Sequence, residues 1–264
     1  MAGNPLSRNN VQVMGKGNQP MIFGHGFGCD QKMWRYLIPA FQEDYKIVLL
    51  DYVGTGNSDI SCFDPVKYGC LRGYTQDILE ICDRLELANA IFVGHSVGAI
   101  IGILAAIKEP ERFDKLVLIG PSPCYLNKED YVGGFSREEI ESLLAFMEQD
   151  YVSWANTFSQ FIMGNPDNPL LSDFLFSSFC SIDPAIAKHF ARVTFLSDNR
   201  ADLPKVEVPA LVLQCSEDLV APVEVGQYVH KNLKQSHFIQ LEATGHCPHL
   251  SAPAETVAAM KAFL

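Results

Sequence analysis

The chain has 264 residues, 48% of them hydrophobic and only 19% charged, against about 25% charged in an average domain. Its 20 Lys and Arg against 31 Asp and Glu leave a net charge of −11. With no run of basic residues, that balance excludes a general attraction to nucleic acid or to an anionic membrane.

The apolar excess excludes disorder and is more than one solid core requires, as a lined cavity would need. A chain of this length buries about three quarters of its unfolded surface and needs no disulfide or metal staple. At about 150 residues per domain it amounts to roughly 1.8 domains, and one large α/β domain with an insertion fits equally well. The eight cysteines (29, 62, 70, 82, 124, 180, 215 and 247) are scattered, with no C-x-x-C pair. They read as reduced, buried thiols of a cytoplasmic protein, and residues 1–13 carry no apolar leader. The most apolar segment, Ala90–Ile107, is short for a membrane span and is interrupted by His95, Ser96 and Gly98. It reads as a buried strand running into a buried helix.

In chain order, Val11–Met14 is an expected antiparallel edge strand. Met21–Phe23, Lys46–Leu50, Ala90–Val93, Lys115–Ile119 and Ala210–Gln214 are short runs rich in Val, Ile and Leu without polar alternation. Strands buried on both faces of a parallel sheet have this character. Helical patterns at Tyr74–Leu85, Val97–Lys108 and Val223–Lys231 alternate with them, and Ser236–Leu241 is the last expected strand. A repeating strand–helix order predicts a doubly wound, mostly parallel α/β sheet with right-handed crossovers. Between about Lys128 and Asp202 the pattern is helical only: Ser136–Gln149, Tyr151–Gly164, Pro169–Ser178 and Pro184–Leu196. Ser136 with Glu139 has the form of a capping box, and Asn165–Pro169 is a turn between helices. This insertion is rich in aromatic residues.

Gly94-His95-Ser96-Val97-Gly98 fits G-x-S-x-G, with an apolar strand before it and a helix after it. That context is the strand–turn–helix of a nucleophile elbow, which holds a serine Oγ above the carboxyl edge of a sheet. A serine hydroxyl needs a base, and in this architecture the chain order is serine, acid, histidine. His246, after the last strand, is the expected base. Asp218, after Ala210–Gln214, is the expected orienter of its imidazole, with Glu217 as the rival acid. Oxyanion donors are expected from the Val97 N–H and from the Phe27 N–H in His25-Gly26-Phe27-Gly28. His95 packs inside the elbow. His246 and His249 have the spacing of a metal pair, but no third ligand is apparent, so no metal and no cofactor are expected. Asp51–Ser58 contains G-x-G without the third glycine or the opening helix of a dinucleotide site, and reads as a structural turn.

Together HGFG, D-x-x-G-x-G-x-S, GHSVG, Asp218 and Gly245-His246 make nearly the whole chain resemble the α/β-hydrolase fold. His25–Gln31 with Trp34, Val93–Ala99, Gly120–Pro123, Gly245–His249, Ser7–Asn9 and Phe179–Pro184 are similar to the RsbQ-like stress-signalling hydrolases. These are relatives of the plant karrikin and strigolactone receptors. The resemblance implies a hydrolase core, residues 1–127 and 198–264, with a four-helix lid at 128–197 over an enclosed apolar pocket. Phe27, Phe135, Trp154, Phe158 and Phe195 match pocket-lining positions, and His95 and Val220 complete the expected lining. It also implies a PAS-domain phosphatase as partner in a stress sigma factor pathway. Two readings follow: a serine hydrolase acting on a small apolar ester or lactone, and a ligand sensor that hydrolyses slowly and signals through a protein partner. A carboxylesterase or C–C hydrolase with no signalling role is the third. Ser96 at the elbow disfavours the epoxide hydrolases and dehalogenases of this fold, which use an aspartate there.

Overall fold

The structure, a computed structural model, describes residues 4–264; residues 1–3, expected in the core segment, lie outside the described residues. In chain order the first half comprises α1 (Pro5–Arg8), β1 (Gln12–Met14), β2 (Pro20–Gly24), β3 (Lys46–Leu49), α2 (Leu71–Arg84), β4 (Ala90–His95), α3 (Val97–Lys108) and β5 (Phe113–Ile119). Four helices follow, α4 (Arg137–Gln149), α5 (Tyr151–Met163), α6 (Pro169–Cys180) and α7 (Pro184–Phe195). The chain ends through β6 (Ala210–Glu217), α8 (Val223–Asn232), β7 (Ser236–Thr244), α9 (Pro248–Ser251) and α10 (Pro253–Phe263).

The strands form one sheet in the order β1-β3-β2-β4-β5-β6-β7. Only β1 runs antiparallel, against β3. Every residue of β2 and β4 is buried, which explains their unbroken apolar runs. The segment Ala90–Ile107 is β4 running into α3, and the interior of α3 is wholly buried. Among the described residues no single helix is long and apolar enough to cross a membrane; only α6 and α7 together reach the length, and they meet at 109°.

The four inserted helices are set by their own start signals. Ser136 Oγ accepts from the Glu139 N–H (3.1 Å) and Glu139 Oε2 accepts from the Ser136 N–H (2.7 Å), the expected capping box. Asp150 Oδ1 accepts from the Ser153 N–H and so opens α5. Proline stands at the first position of both α6 and α7, where its missing N–H costs nothing. Hydrogen bonds tie these helices to the sheet edge. The His246 N–H donates to the Ile162 carbonyl (2.8 Å), and Ser178 Oγ donates to the Gly28 carbonyl (2.8 Å). Phe27 packs at ring-centroid distances of 5.7–6.2 Å against Trp154, Phe179, Phe190 and Phe195.

Several boundaries differ from the expected ones. Helix α2 begins at Leu71, three residues before the expected Tyr74. Gly73 lies in its first turn, where a Cβ would stand 2.1 Å from the Lys67 carbonyl oxygen. The glycine is there for close packing, and does not break the helix. Helices α1, α9 and α10 were not expected. In α10 only Thr256 and Met260 are buried, so its apolar stripe is too faint for a periodicity argument.

Candidate active site

The carboxyl ends of β4, β6 and β7 carry the three expected catalytic side chains. Ser96 follows β4 with φ 55° and ψ −125°, a backbone conformation that non-glycine residues adopt only under constraint. Its N–H is held by the Ile119 carbonyl of β5 at 2.9 Å. A Cβ on Gly98 would lie 2.4 Å from the His25 carbonyl oxygen and 2.5 Å from that of Gly24. Only glycine lets α3 begin this close to β2.

Ser96 Oγ lies 2.8 Å from His246 Nε2, and His246 Nδ1 lies 2.7 Å from Asp218 Oδ2. All three residues are buried. Asp218 is held from several sides. Its Oδ1 accepts from the Val220 and Ala221 N–H groups (2.8 and 3.0 Å), and its Oδ2 from Gln214 Nε2 (3.3 Å). A carboxylate so fixed keeps the imidazole proton on Nδ1 and turns the Nε2 lone pair toward the serine. Glu217, the rival acid, has an exposed side chain, and its backbone carbonyl takes the Gly245 N–H instead (2.7 Å).

The N–H of Val97 is the first of α3, so it has no intrahelical acceptor and sits at the positive end of the helix dipole. Neither this N–H nor that of Phe27 donates to any acceptor among the described residues. Two unpaired backbone donors flanking Ser96 can receive an oxyanion. The HGFG loop is braced by His25. Its Nε2 accepts from the Tyr52 N–H (3.2 Å), and its Nδ1 donates to the Gly26 carbonyl (2.8 Å). Burial holds the His25 pKa below its ordinary value. Asp51 gathers the Gln31 and Asn57 N–H groups (both 2.9 Å), the structural turn expected there.

A cavity of only about 20 Å³ lies over Ser96. Phe27, His95, Phe158, Phe195 and Val220 line it, together with Ser96 and His246. Phe135 and Trp154, expected in the same lining, instead face a separate groove of about 620 Å³ between α4 and α5. Phe158 borders both spaces. Phe135 packs outward on Phe161 and reaches Phe195 only at 6.5 Å.

Tyr125 was not anticipated: its hydroxyl lies 3.1 Å from Ser96 Oγ. It stands in the loop after β5, and no motif or spacing in the sequence marks it. Cys29 and Cys247 also line the cavity. The fold brings His95, Cys247 and His249 together, with one ligand atom of each within 4.8 Å of the others. Of the pair His246 and His249 only His249 belongs to this group, and the other two members, His95 and Cys247, are the residue before Ser96 and the residue after His246.

A sequence profile of the alpha/beta hydrolase family matches residues 21–259. A strigolactone esterase of Arabidopsis thaliana is 40% identical over 96% of this chain and 94% of its own length. A karrikin insensitive 2 receptor of Petunia hybrida is 38% identical over 93% of this chain and 91% of its own. A solved hydrolase structure from Oleispira antarctica superposes with a TM-score of 0.96 at 38% identity, covering 98% of this chain and 96% of that one.

Proposed function

The chain belongs to the alpha/beta hydrolase family, and from that premise we propose that it is a serine-dependent carboxylic ester hydrolase acting on a small, mostly apolar ester or lactone. The observation that carries this reading is the buried relay of Ser96 Oγ, His246 and Asp218, with links of 2.8 and 2.7 Å. Ser96 Oγ attacks the substrate carbonyl as His246 Nε2 takes its proton. The oxyanion is received by the Phe27 and Val97 N–H groups, and the imidazolium that forms is stabilised by Asp218. His246 then gives the proton to the leaving alkoxide. Water, deprotonated by the same nitrogen, releases the acid and restores Ser96. Residues 128–197 act as a lid over the site. The cavity of about 20 Å³ holds no ester, so substrate enters as α5 moves Phe158 aside and joins it to the groove between α4 and α5.

Hydrolysis of short-chain p-nitrophenyl esters tests this reading. Asp218→Asn leaves the shape of the site but removes the charge that orients His246, and is expected to lower kcat by about 10⁴. Activity within tenfold of wild type in that variant contradicts the assignment.

A second reading is favoured by the small volume of the cavity over Ser96 and by the receptor among the relatives. Here the same residues hold or slowly cleave a ligand, and the reorganised helices engage a protein. The RsbQ resemblance implies a PAS-domain phosphatase in that role, and the eight free cysteines suit a reducing, cytoplasmic setting. Accumulation of a covalent Ser96 adduct, with turnover limited by lid reopening, distinguishes it from rapid esterase turnover.

A further inference from the structure

Behind His246 lies a group of side chains that the hydrolytic chemistry does not use. His249 is completely buried, yet neither of its ring nitrogens has a hydrogen-bond partner, and His95 Nδ1 is equally unpartnered. A buried polar atom left unsatisfied is destabilising, so three at one place ask for an occupant. The His95 ring packs, tilted, at centroid distances of 4.5 Å from His249 and 4.8 Å from His246. His95 Nε2 donates to the His246 carbonyl at 2.9 Å. That bond places the His95 proton on Nε2 and leaves a lone pair on Nδ1. A backbone carbonyl fixing the second nitrogen of a ligating imidazole is the usual support of a metal-bound histidine. Neither His249 nitrogen is engaged by a neighbour, and a neutral imidazole carries a lone pair on one of its two nitrogens, so this ring also offers a ligand atom. Cys247 supplies a buried, uncrosslinked thiol.

We propose that His95, Cys247 and His249 form a binding site for a thiophilic divalent cation of the zinc class, directly behind His246. Two neutral imidazoles and one thiolate are borderline-soft ligands suited to such an ion. Binding forms the metal–sulfur bond and releases the Cys247 proton to solvent. A water takes the fourth position. The three ligand atoms now lie within 4.8 Å of one another. A tetrahedral zinc site requires about 3.3–3.7 Å, so the side chains close by about 1 Å. Entry is through the small cavity, which His95 and Cys247 already line.

The occupied site carries one net positive charge beside His246. A like charge there disfavours the imidazolium that ester cleavage must form, so the ion inhibits hydrolysis. This consequence rests on the catalytic reading above, whereas binding itself does not.

The experiment is a Co²⁺ titration of the metal-free full chain, followed by its visible and near-ultraviolet spectrum. One equivalent is expected to produce tetrahedral ligand-field bands and a sulfur-to-cobalt charge-transfer band, and Zn²⁺ is expected to abolish both. Cys247→Ala removes the charge-transfer band, and His249→Gln weakens Co²⁺ affinity at least about tenfold. No charge-transfer band at one equivalent overturns the proposal, as does a band that survives in both variants. Water held between His249 and the equally unpartnered Trp34 Nε1 would leave the spectrum blank. If either variant fails to fold, anomalous diffraction at the zinc edge from soaked wild-type crystals decides, with density among the three residues expected and density only elsewhere contradicting. Turnover with and without saturating Zn²⁺ is measured separately. A fall of about tenfold or more is expected in wild type, and a smaller one in His249→Gln. A site that binds cobalt in a protein without esterase activity refutes the catalytic reading and leaves the metal site standing.

Discussion

At Ser96 the hydroxyl is shared between two neighbours of opposite character. His246 Nε2 draws its hydrogen, because Asp218 keeps the imidazole proton on Nδ1. The Tyr125 hydroxyl, 3.1 Å away, is then the donor to Ser96 Oγ, and that bond ties down a lone pair the attack requires. A neutral hydrogen bond is worth about 0.5–1.5 kcal/mol. Tyr125→Phe is therefore expected to speed acylation by about 2- to 10-fold, measured as the burst rate with an activated ester. A slowing of tenfold or more would show that the phenol stabilises the transition state instead. That Ser96, His246 and Asp218 come together was legible in the sequence, because each follows a strand end in an order that the elbow dictates. The approach of Tyr125 was not, because a loop residue 29 positions after Ser96 reaches its hydroxyl only through the path of its backbone.

Helices α4 to α7 announce themselves through local chemistry, namely a capping box, an Asp cap and two first-turn prolines. Those signals act within one turn, so sequence alone carries them. Which face of α5 meets Ser96 is a tertiary matter, and it divides the aromatic residues differently from expectation. Phe158 borders the cavity and the groove, whereas Trp154 and Phe135 border only the groove. Removing the partition is the informative change. Phe158→Ala is expected to lower stability by about 3–5 kcal/mol, as for a buried aromatic, read from chemical denaturation. In the same variant, kcat/KM for bulky acyl esters rises relative to acetate. An unchanged chain-length preference would mean that the two spaces do not communicate through α5. At the start of α4, Glu139→Ala loses one half of the capping box and is expected to cost about 1 kcal/mol with activity retained. A loss above about 3 kcal/mol would contradict a merely local role.

Across the whole molecule, the apolar excess and the sparse charge resolve into a sheet with continuously buried central strands and an aromatic seam beneath the inserted helices. The strands and their mostly parallel sheet were legible because parallel strands buried on both faces leave unbroken apolar runs, whereas the order of neighbours across the sheet was not. The volume of the site was not, because it depends on how a few aromatic rings turn. The same burial encloses three imidazoles, His25, His95 and His249, each held below its ordinary pKa by desolvation. The folded chain therefore binds fewer protons than the unfolded chain below about pH 6.5, and stability is lost as the pH falls through that range. His25 makes the effect structural: its Nε2 accepts from the Tyr52 N–H, so protonation there also loosens the HGFG loop. Denaturation midpoints are expected to fall progressively from pH 7 to pH 4.5 in the presence of chelator, and a flat profile would contradict neutral burial. The most direct test of the catalytic account is covalent labelling with a fluorophosphonate, followed by peptide mass spectrometry. The account predicts one adduct, on Ser96, abolished in Ser96→Ala and slowed at least about 10³-fold in His246→Ala. Labelling that persists in Ser96→Ala, or falls on another residue in wild type, would contradict it.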